Sequence, residues 1–238
     1  FSMRYLICFD MDRVLVDHMS TWQFVYDKLE ISNEEAFNLY NQGLLDEWDW
    51  LKMDIKLMKS NYPDLDDDKL RNLCKGTPLM KGIEKCLSYL VDSKHEIAII
   101  SGGMQQTARE IALMYTNGPW KRRWGGIDRN DGRDTAFHVF TNGWLRSLNG
   151  GIEDYGRYQV QMNGKGSIVK MLQRRLDIPR ERTITIGDSS GDIGMFVESG
   201  LSICFNPWDE KPVEVADLTI RSTDLTDVLD AIKSYIKE

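Results

Sequence analysis

The stretch RYLICFDMDRVLVD, residues 4–17, decides the reading of this chain. An apolar, strand-forming run from Tyr5 to Phe9 ends in two aspartates, Asp10 and Asp12, with Arg13 directly behind them. Residues two apart in a strand share a face, so the spacing places two carboxylates side by side where a sheet stops. Like charges that close repel, and a compensating cation is expected nearby.

Four further short runs have the same character: Ile97 to Ile100, Thr183 to Ile186, Leu201 to Phe205 and Leu218 to Ile220. Several are continuously apolar, as strands covered on both faces are. Helical periods lie between the later ones, in Ile168, Met171, Leu172 and Leu176 and in Leu225, Val228, Leu229, Ile232 and Ile236. Strands alternating with helices predict an α/β fold with a doubly wound, mostly parallel sheet.

More than 80 residues separate the first two runs, far beyond one crossover helix. The excess reads as a helical insertion: Thr21 to Leu29, Glu34 to Tyr40, a long element carrying Leu44, Trp48, Leu51, Ile55 and Met58, then Asp67 to Cys74. The predicted organisation is a core domain of residues 3–16 and 80–238 with a small helical cap of residues 17–79. In the long element a packed cap helix and a partner interface are both open, and Trp22, Trp48 and Trp50 are expected in the cap core. From Thr116 to Gly164 the chain is rich in Gly, Asn and Asp, with turn signals at Asn117-Gly118, Asp131-Gly132, Asn142-Gly143 and Asn149-Gly150, and a β-hairpin is expected there.

With 238 residues, 42% of them hydrophobic, the chain can bury a substantial core. A net charge of -7 argues against a general nucleic-acid or anionic-membrane binder. The one basic, tryptophan-bearing stretch, Pro119 to Gly126 (PWKRRWGG), reads as a solvated loop, a cleft rim or a nucleic-acid or phosphorylated-partner surface. Cys8, Cys74, Cys86 and Cys204 lack metal-ligand spacing and read as buried thiols. No apolar run reaches the ~18 residues of a membrane span, and neither a secretory leader nor an internal repeat is visible, so a cytoplasmic protein is expected. Phe1 and Ser2, ahead of Met3, read as a cloning remnant.

In an open α/β sheet ligands bind beyond the carboxyl ends of the strands. The first strand leads to Asp10 and Asp12. The second leads to Ser101-Gly102-Gly103, a hydroxyl and two glycines expected to enter a helix near Met104, whose amides would suit an anion. The third leads to GDSSGD with Asp188 and Asp192, and Lys165 precedes the helix feeding that strand. Four carboxylates facing a phosphate dianion carry a formal charge of about -6, which one lysine lowers only to about -5, so a divalent cation is required; an all-oxygen donor set points to Mg²⁺. An ionised aspartate is then a nucleophile, and a neighbour pushed up by like charge can carry a proton.

These residues resemble the haloacid dehalogenase superfamily, in its phosphoserine phosphatase-like branch: DMDRV is similar to its first motif, SGG to the second, Lys165 to the third and GDSSGDIGMF to the fourth, in order along nearly the whole chain. The resemblance implies a Mg²⁺-dependent phosphomonoester hydrolase acting on a small phosphorylated metabolite. It implies Asp10 as nucleophile forming an aspartyl-phosphate, and Asp12 as proton carrier. Asp10, the main-chain carbonyl of Asp12 and Asp188 would hold Mg²⁺ with Asp192 in support; Ser101, the Gly102 amide and Lys165 would bind phosphate. A phosphotransferase or mutase and a non-catalytic phosphate-binding regulator stay open. Two departures bear on the substrate. Met19, with Asp17 and His18 beside it, stands where phosphoserine phosphatases carry a glutamate, and the long cap element has lysines but no arginine to pair a substrate carboxylate. Arg13, Asp17, His18 and Met19 are therefore the candidate specificity residues, with an outward-pointing Arg13 and a structural His18 as the alternatives.

Overall fold

The computed structural model describes residues 3–115 and 137–238. Among the described residues seven strands form one sheet in the order β4-β3-β2-β1-β5-β6-β7. The strands β1 (Leu6–Phe9), β2 (Glu96–Met104), β5 (Thr183–Gly187), β6 (Leu201–Phe205) and β7 (Leu218–Ile220) run parallel, as does β3 (Phe137–Arg146) beside β2; only β4 (Ile152–Arg157) is antiparallel, paired to β3. The doubly wound sheet expected from the alternation is present.

Side-chain alternation along β1 explains why its sequence is apolar throughout. Ile7 and Phe9 enter a cluster with the helices α5 (Ile83–Asp92), α6 (Gln105–Tyr115) and α10 (Leu225–Ile236), whereas Leu6 and Cys8 face the opposite layer with Val169 and Leu172 of α7 (Lys165–Leu176). Both faces are covered, so neither parity can be polar. Two short helices, α8 (Ile193–Phe196) and α9 (Lys211–Val215), complete the core.

Four helices stand between β1 and α5: α1 (Thr21–Leu29), α2 (Glu34–Asn41), α3 (Glu47–Asn61) and α4 (Asp67–Cys74). Ser20, Asp46 and Asp66 cap α1, α3 and α4, their side chains accepting the amides of Gln23, Asp49 and Lys69. Their apolar faces make a separate cluster, including Val25, Ile55, Met58 and Leu70, that takes in Met104, Trp144 and Ile152. The long seam is shorter than its spacing predicts. Because Asp46 starts α3 at Glu47, Leu44 stays in the preceding turn, 69% exposed, and Trp48 lies 41% exposed against the Tyr158 ring. Leu51, Ile55 and Met58 carry the apolar part of the buried face, with Asp54 buried beside them. Of the tryptophans expected in the cap core, Trp22 and Trp50 are half-buried and Trp48 is outside it.

The hairpin turns at Asn149-Gly150, where Gly150 adopts φ 89°. Asn142-Gly143, expected as a turn, lies inside β3: the Asn142 side chain accepts the amides of Gln159 and Val160, so it ties down the segment leading to Lys165 instead of reversing the chain. Asn117-Gly118, Asp131-Gly132 and the Pro119 to Gly126 stretch fall outside the described residues.

Candidate active site

The central position of β1 brings three strand ends together. Phe9 pairs with Ile99 on one side and Ile186 on the other, and the Asp10 amide continues the ladder onto the Ile186 carbonyl at 2.9 Å. Asp10 then leaves the sheet edge with its side chain 9% exposed and its carboxylate accepting the Met11 amide at 2.7 Å. The chain turns tightly around the Met11 carbonyl, which accepts the amides of Val14, Leu15 and Val16, and this turn carries Asp12 and Arg13.

Lys165, the first residue of α7 and buried, reaches in from the side to place Nζ 2.7 Å from Asp192 Oδ1 and 3.2 Å from Asp10 Oδ1. Asp10, Asp188 and Asp192 each present an oxygen within 4.8 Å of the others, and all three are buried. Burial, together with Asp10 and Asp192, drives the Asp188 carboxyl far above its ordinary value, and burial and Asp10 push Asp192 upward. Burial is the largest influence on Asp10 and opposes its ionisation, but the Lys165 ammonium and hydrogen bonds from Asp188, Asp192 and the Met11 amide together outweigh it and hold that carboxyl low. Burial disfavours the Lys165 charge, and Asp10 and Asp192 more than restore it, so its value rises.

The oxygens differ in what remains free. Asp192 Oδ1 takes Lys165, while its Oδ2 accepts the amides of Asp188 and Ser189. With both Asp192 oxygens so engaged and the Asp10, Asp188 and Asp192 oxygens within 4.8 Å of one another, this all-oxygen cluster, short of one positive charge or more, fits a hard divalent cation for which Asp10 and Asp188 are the chief donors.

Asp12 stands apart from the cluster. Its Oδ1 accepts the Thr21 amide at 3.2 Å, and desolvation followed by the Asp10 charge pushes the carboxyl up to about 7. Ser101 is buried, its hydroxyl accepting the Gly103 amide at 3.0 Å. The Ser101-Gly102-Gly103 segment is still strand, with a register shift between Ser101 and Met104, and α6 begins only at Gln105; the loop is a bulged strand end rather than a helix start. Gly102 is exposed, and its carbonyl accepts Trp22 Nε1 from α1 at 3.0 Å.

The four candidate specificity residues separate. Arg13 points inward, its Nε donating to Asp188 Oδ2 at 3.0 Å. The Asp17 amide donates to the Pro78 carbonyl and its side chain is exposed; His18 Nδ1 accepts the Ser20 amide and its ring edges onto Phe24; Met19 is 57% exposed. Asp17 and His18 anchor the passage from core to α1, and among the described residues none of the last three has a hydrogen bond or ion pair to the carboxylates.

The roles of three residues that stand in or beside the motifs escaped sequence reasoning. The Thr21 hydroxyl accepts the Met104 amide at 2.7 Å and thereby joins Asp12 to the β2 end, yet as the opening residue of a helix it carries no signal. A Cβ on Gly103 would stand 2.6 Å from Met11 Cε, 2.8 Å from Thr21 Oγ1 and 3.0 Å from Asp12 Oδ2. One on Gly187 would meet the Asp192 carboxylate at 2.3 to 2.5 Å. Both glycines admit a carboxylate where any side chain would displace it.

The profile of the haloacid dehalogenase-like hydrolases matches residues 160–232, a span that includes Lys165, Asp188 and Asp192. The phosphoserine phosphatase of Methanocaldococcus jannaschii is 27% identical over 96% of this chain and 97% of its own, and that of Wolinella succinogenes is 25% identical over 79% and 80%. Among solved structures, a phospho-aspartyl intermediate analogue of phosphoserine phosphatase is 25% identical at a TM-score of 0.69, over 96% of this chain and 98% of that one. A substrate-bound phosphoserine phosphatase complex, at 24% identity and a TM-score of 0.71 over 97% and 99%, shares the fold.

Proposed function

Since the chain belongs to the haloacid dehalogenase superfamily and is a phosphoric monoester hydrolase, we propose that it cleaves a small phosphorylated metabolite through an aspartyl-phosphate on Asp10. The observation that carries this reading is the ionised Asp10 held between Lys165 and the Asp188 and Asp192 pair. An Asp10 carboxylate oxygen attacks phosphorus as the bond from phosphorus to the leaving oxygen breaks. Asp12, which keeps its proton to about pH 7, passes it to that oxygen. As a carboxylate it then takes a proton from the water that attacks phosphorus and frees Asp10. Ser101, the Gly102 amide and Lys165 hold the phosphoryl oxygens, with Lys165 offsetting charge on nucleophile and phosphate alike. Mg²⁺, held by Asp10, Asp188 and the main-chain carbonyl of Asp12 with Asp192 in support, would supply charge neutralisation of the phosphoryl group.

We assign residues 17–79 as a cap on a core of residues 3–16 and 80–238. The apolar cluster shared by its helices, which seats them on Met104, Trp144 and Ile152 of the core, supports that division. Glu47 of α3 accepts the Met162 amide at 2.8 Å and the Tyr158 hydroxyl at 2.6 Å, which draws the cap toward the Lys165 side, and Trp22 draws it toward Gly102. A closed cap excludes bulk water and selects the leaving group. The relatives named above are phosphoserine phosphatases, but α3 carries Lys52, Lys56 and Lys59 and no arginine, so we assign the substrate only as a phosphomonoester. Among the described residues no helix is long and apolar enough to cross a membrane, and all four cysteines are free and buried, which supports a reducing, cytoplasmic setting.

Phosphate release from a broad phosphomonoester panel, with Mg²⁺ and with Asp10→Asn as control, tests the reading. Hydrolysis of one class, abolished in Asp10→Asn, is expected; an inert panel, or an active Asp10→Asn, refutes it. Added alcohols or sugars show whether the phosphoryl group goes to water or to another acceptor.

A further inference from the structure

We infer that Arg13 is a built-in counter-ion of the acidic cluster, a positioning residue that fixes Asp188 and weakens divalent-cation binding. The inference rests on the proposed role of Asp188 as a metal ligand. Arg13 occupies the left-handed region at φ 64°, where a long side chain gains nothing from the backbone and Gly or Asn is the ordinary occupant. Its side chain is nonetheless held at three points. Nε donates to Asp188 Oδ2 at 3.0 Å, a terminal nitrogen donates to the Asn206 carbonyl at 2.8 Å, and the guanidinium lies 5.0 Å from the centre of the Trp208 ring.

The contacts are reciprocated. The Asn206 side-chain amide donates to the Arg13 carbonyl at 3.2 Å, and the Trp208 amide donates to the Asp188 carbonyl at 2.8 Å. Arg13, Asp188 and the loop after β6 thus form one closed set, in which the guanidinium is tethered with its side chain 23% exposed and Asp188 6% exposed. A tethered cation cannot be exchanged for water at little cost, as a free surface arginine can.

Two consequences follow for the cluster. Asp188 has one oxygen committed to Arg13, so the carboxylate is oriented before a metal arrives, with an oxygen within 4.8 Å of those of Asp10 and Asp192. The affinity of an oxygen site for a hard dication follows the charge of its ligands, and a fixed positive charge sharing one of those carboxylates subtracts from it. A guanidinium and a dication bridged by one carboxylate repel enough, even in a water-like medium, to weaken binding about tenfold. The cluster is thereby set for a readily exchanging metal.

Calorimetric titration of Mg²⁺ into the metal-free protein tests this without reference to turnover. Arg13→Asn and Arg13→Gly remove the charge and suit the left-handed backbone; Arg13→Lys keeps the charge without the fork. About tenfold tighter Mg²⁺ binding is expected in the first two, with Arg13→Lys within about threefold of the parent. Unchanged or weaker binding in both neutral variants, with only the melting temperature altered, makes Arg13 a structural clamp and overturns the inference. If the parent protein does not bind Mg²⁺, or Asp188→Asn binds it as well as the parent, the metal-site reading falls and this inference with it.

Discussion

Replacing Asp12 by Asn changes one carboxyl group whose protonation differs between the folded and unfolded chain, and the consequence is a pH-dependent gain in stability of the metal-free protein. Burial and the Asp10 charge raise the folded value from 3.8 to about 7. Between those values the folded state keeps a proton that the unfolded chain has released, so the unfolded state binds fewer protons and stability falls as pH rises. The contribution is intact below about pH 4 and lost by about pH 7. At about 1.4 kcal/mol per pH unit the interval corresponds to about 4 kcal/mol. Asp12 retains some solvent contact, which trims this to roughly 2 to 4 kcal/mol. The isosteric amide cannot ionise. Urea denaturation in a metal chelator, at intervals from pH 4 to pH 8, is expected to show Asp12→Asn gaining on the parent through this window by that amount, while phosphatase activity with Mg²⁺ is lost. A stability difference that stays flat across the window would refute the claim that Asp12 is a held acid. So would an Asp12→Asn enzyme that retains its activity.

Two further predictions concern the neighbours of that carboxyl. Lys165→Met leaves Asp10 and Asp192 facing each other without their shared cation, and a loss of about 3 to 5 kcal/mol in urea unfolding at pH 7 is expected, together with a roughly 10²- to 10³-fold fall in kcat; a kcat within about twofold of the parent would contradict the proposed role. Gly103→Ala drives a methyl group against Met11, Thr21 and Asp12, and is expected to cost about 1 to 3 kcal/mol and to lower activity roughly 10²-fold through a displaced Asp12. Gly102→Ala, whose added carbon meets only Asn142 Nδ2 at 3.6 Å, is expected to unfold within about 0.5 kcal/mol of the parent.

The candidate site could be assembled from the sequence because its residues follow strands. A continuously apolar run marks a central parallel strand, its end marks the ligand-binding edge, and the residues there need only be of the right type: Asp10, Ser101 and Asp188 satisfy that condition locally. Lys165 was found through its position ahead of the helix feeding β5. Helix phases were read well where a cap residue agreed with the apolar period, as at Ser20 and Thr21, and badly where the period ran past the cap, as at Leu44 and Trp48 ahead of Asp46. Asn142-Gly143 has the composition of a turn, and only the pairing of β3 with β2 and β4 shows that it lies within a strand.

The sequence by itself therefore determined the sheet, the helical insertion and the set of groups at the carboxyl edge, all of which depend on periodicity and on chemical type. Tertiary structure decided the division of labour among those groups. How the carboxylates are engaged, which carboxyl is pushed up to about 7, and where Arg13 points are set by side-chain direction and by neighbours in space, some distant in the chain, Asn206 and Trp208 for Arg13 and Gly103 for Asp12, and some close to it, Thr21 for Asp12 and Gly187 for Asp192. Arg13 shows the difference most directly. In the sequence it was a charged residue behind two aspartates, free to point outward; in the fold, a left-handed backbone position and two contacts from the loop after β6 turn it onto Asp188, because electrostatic partners are chosen by proximity in space and not along the chain.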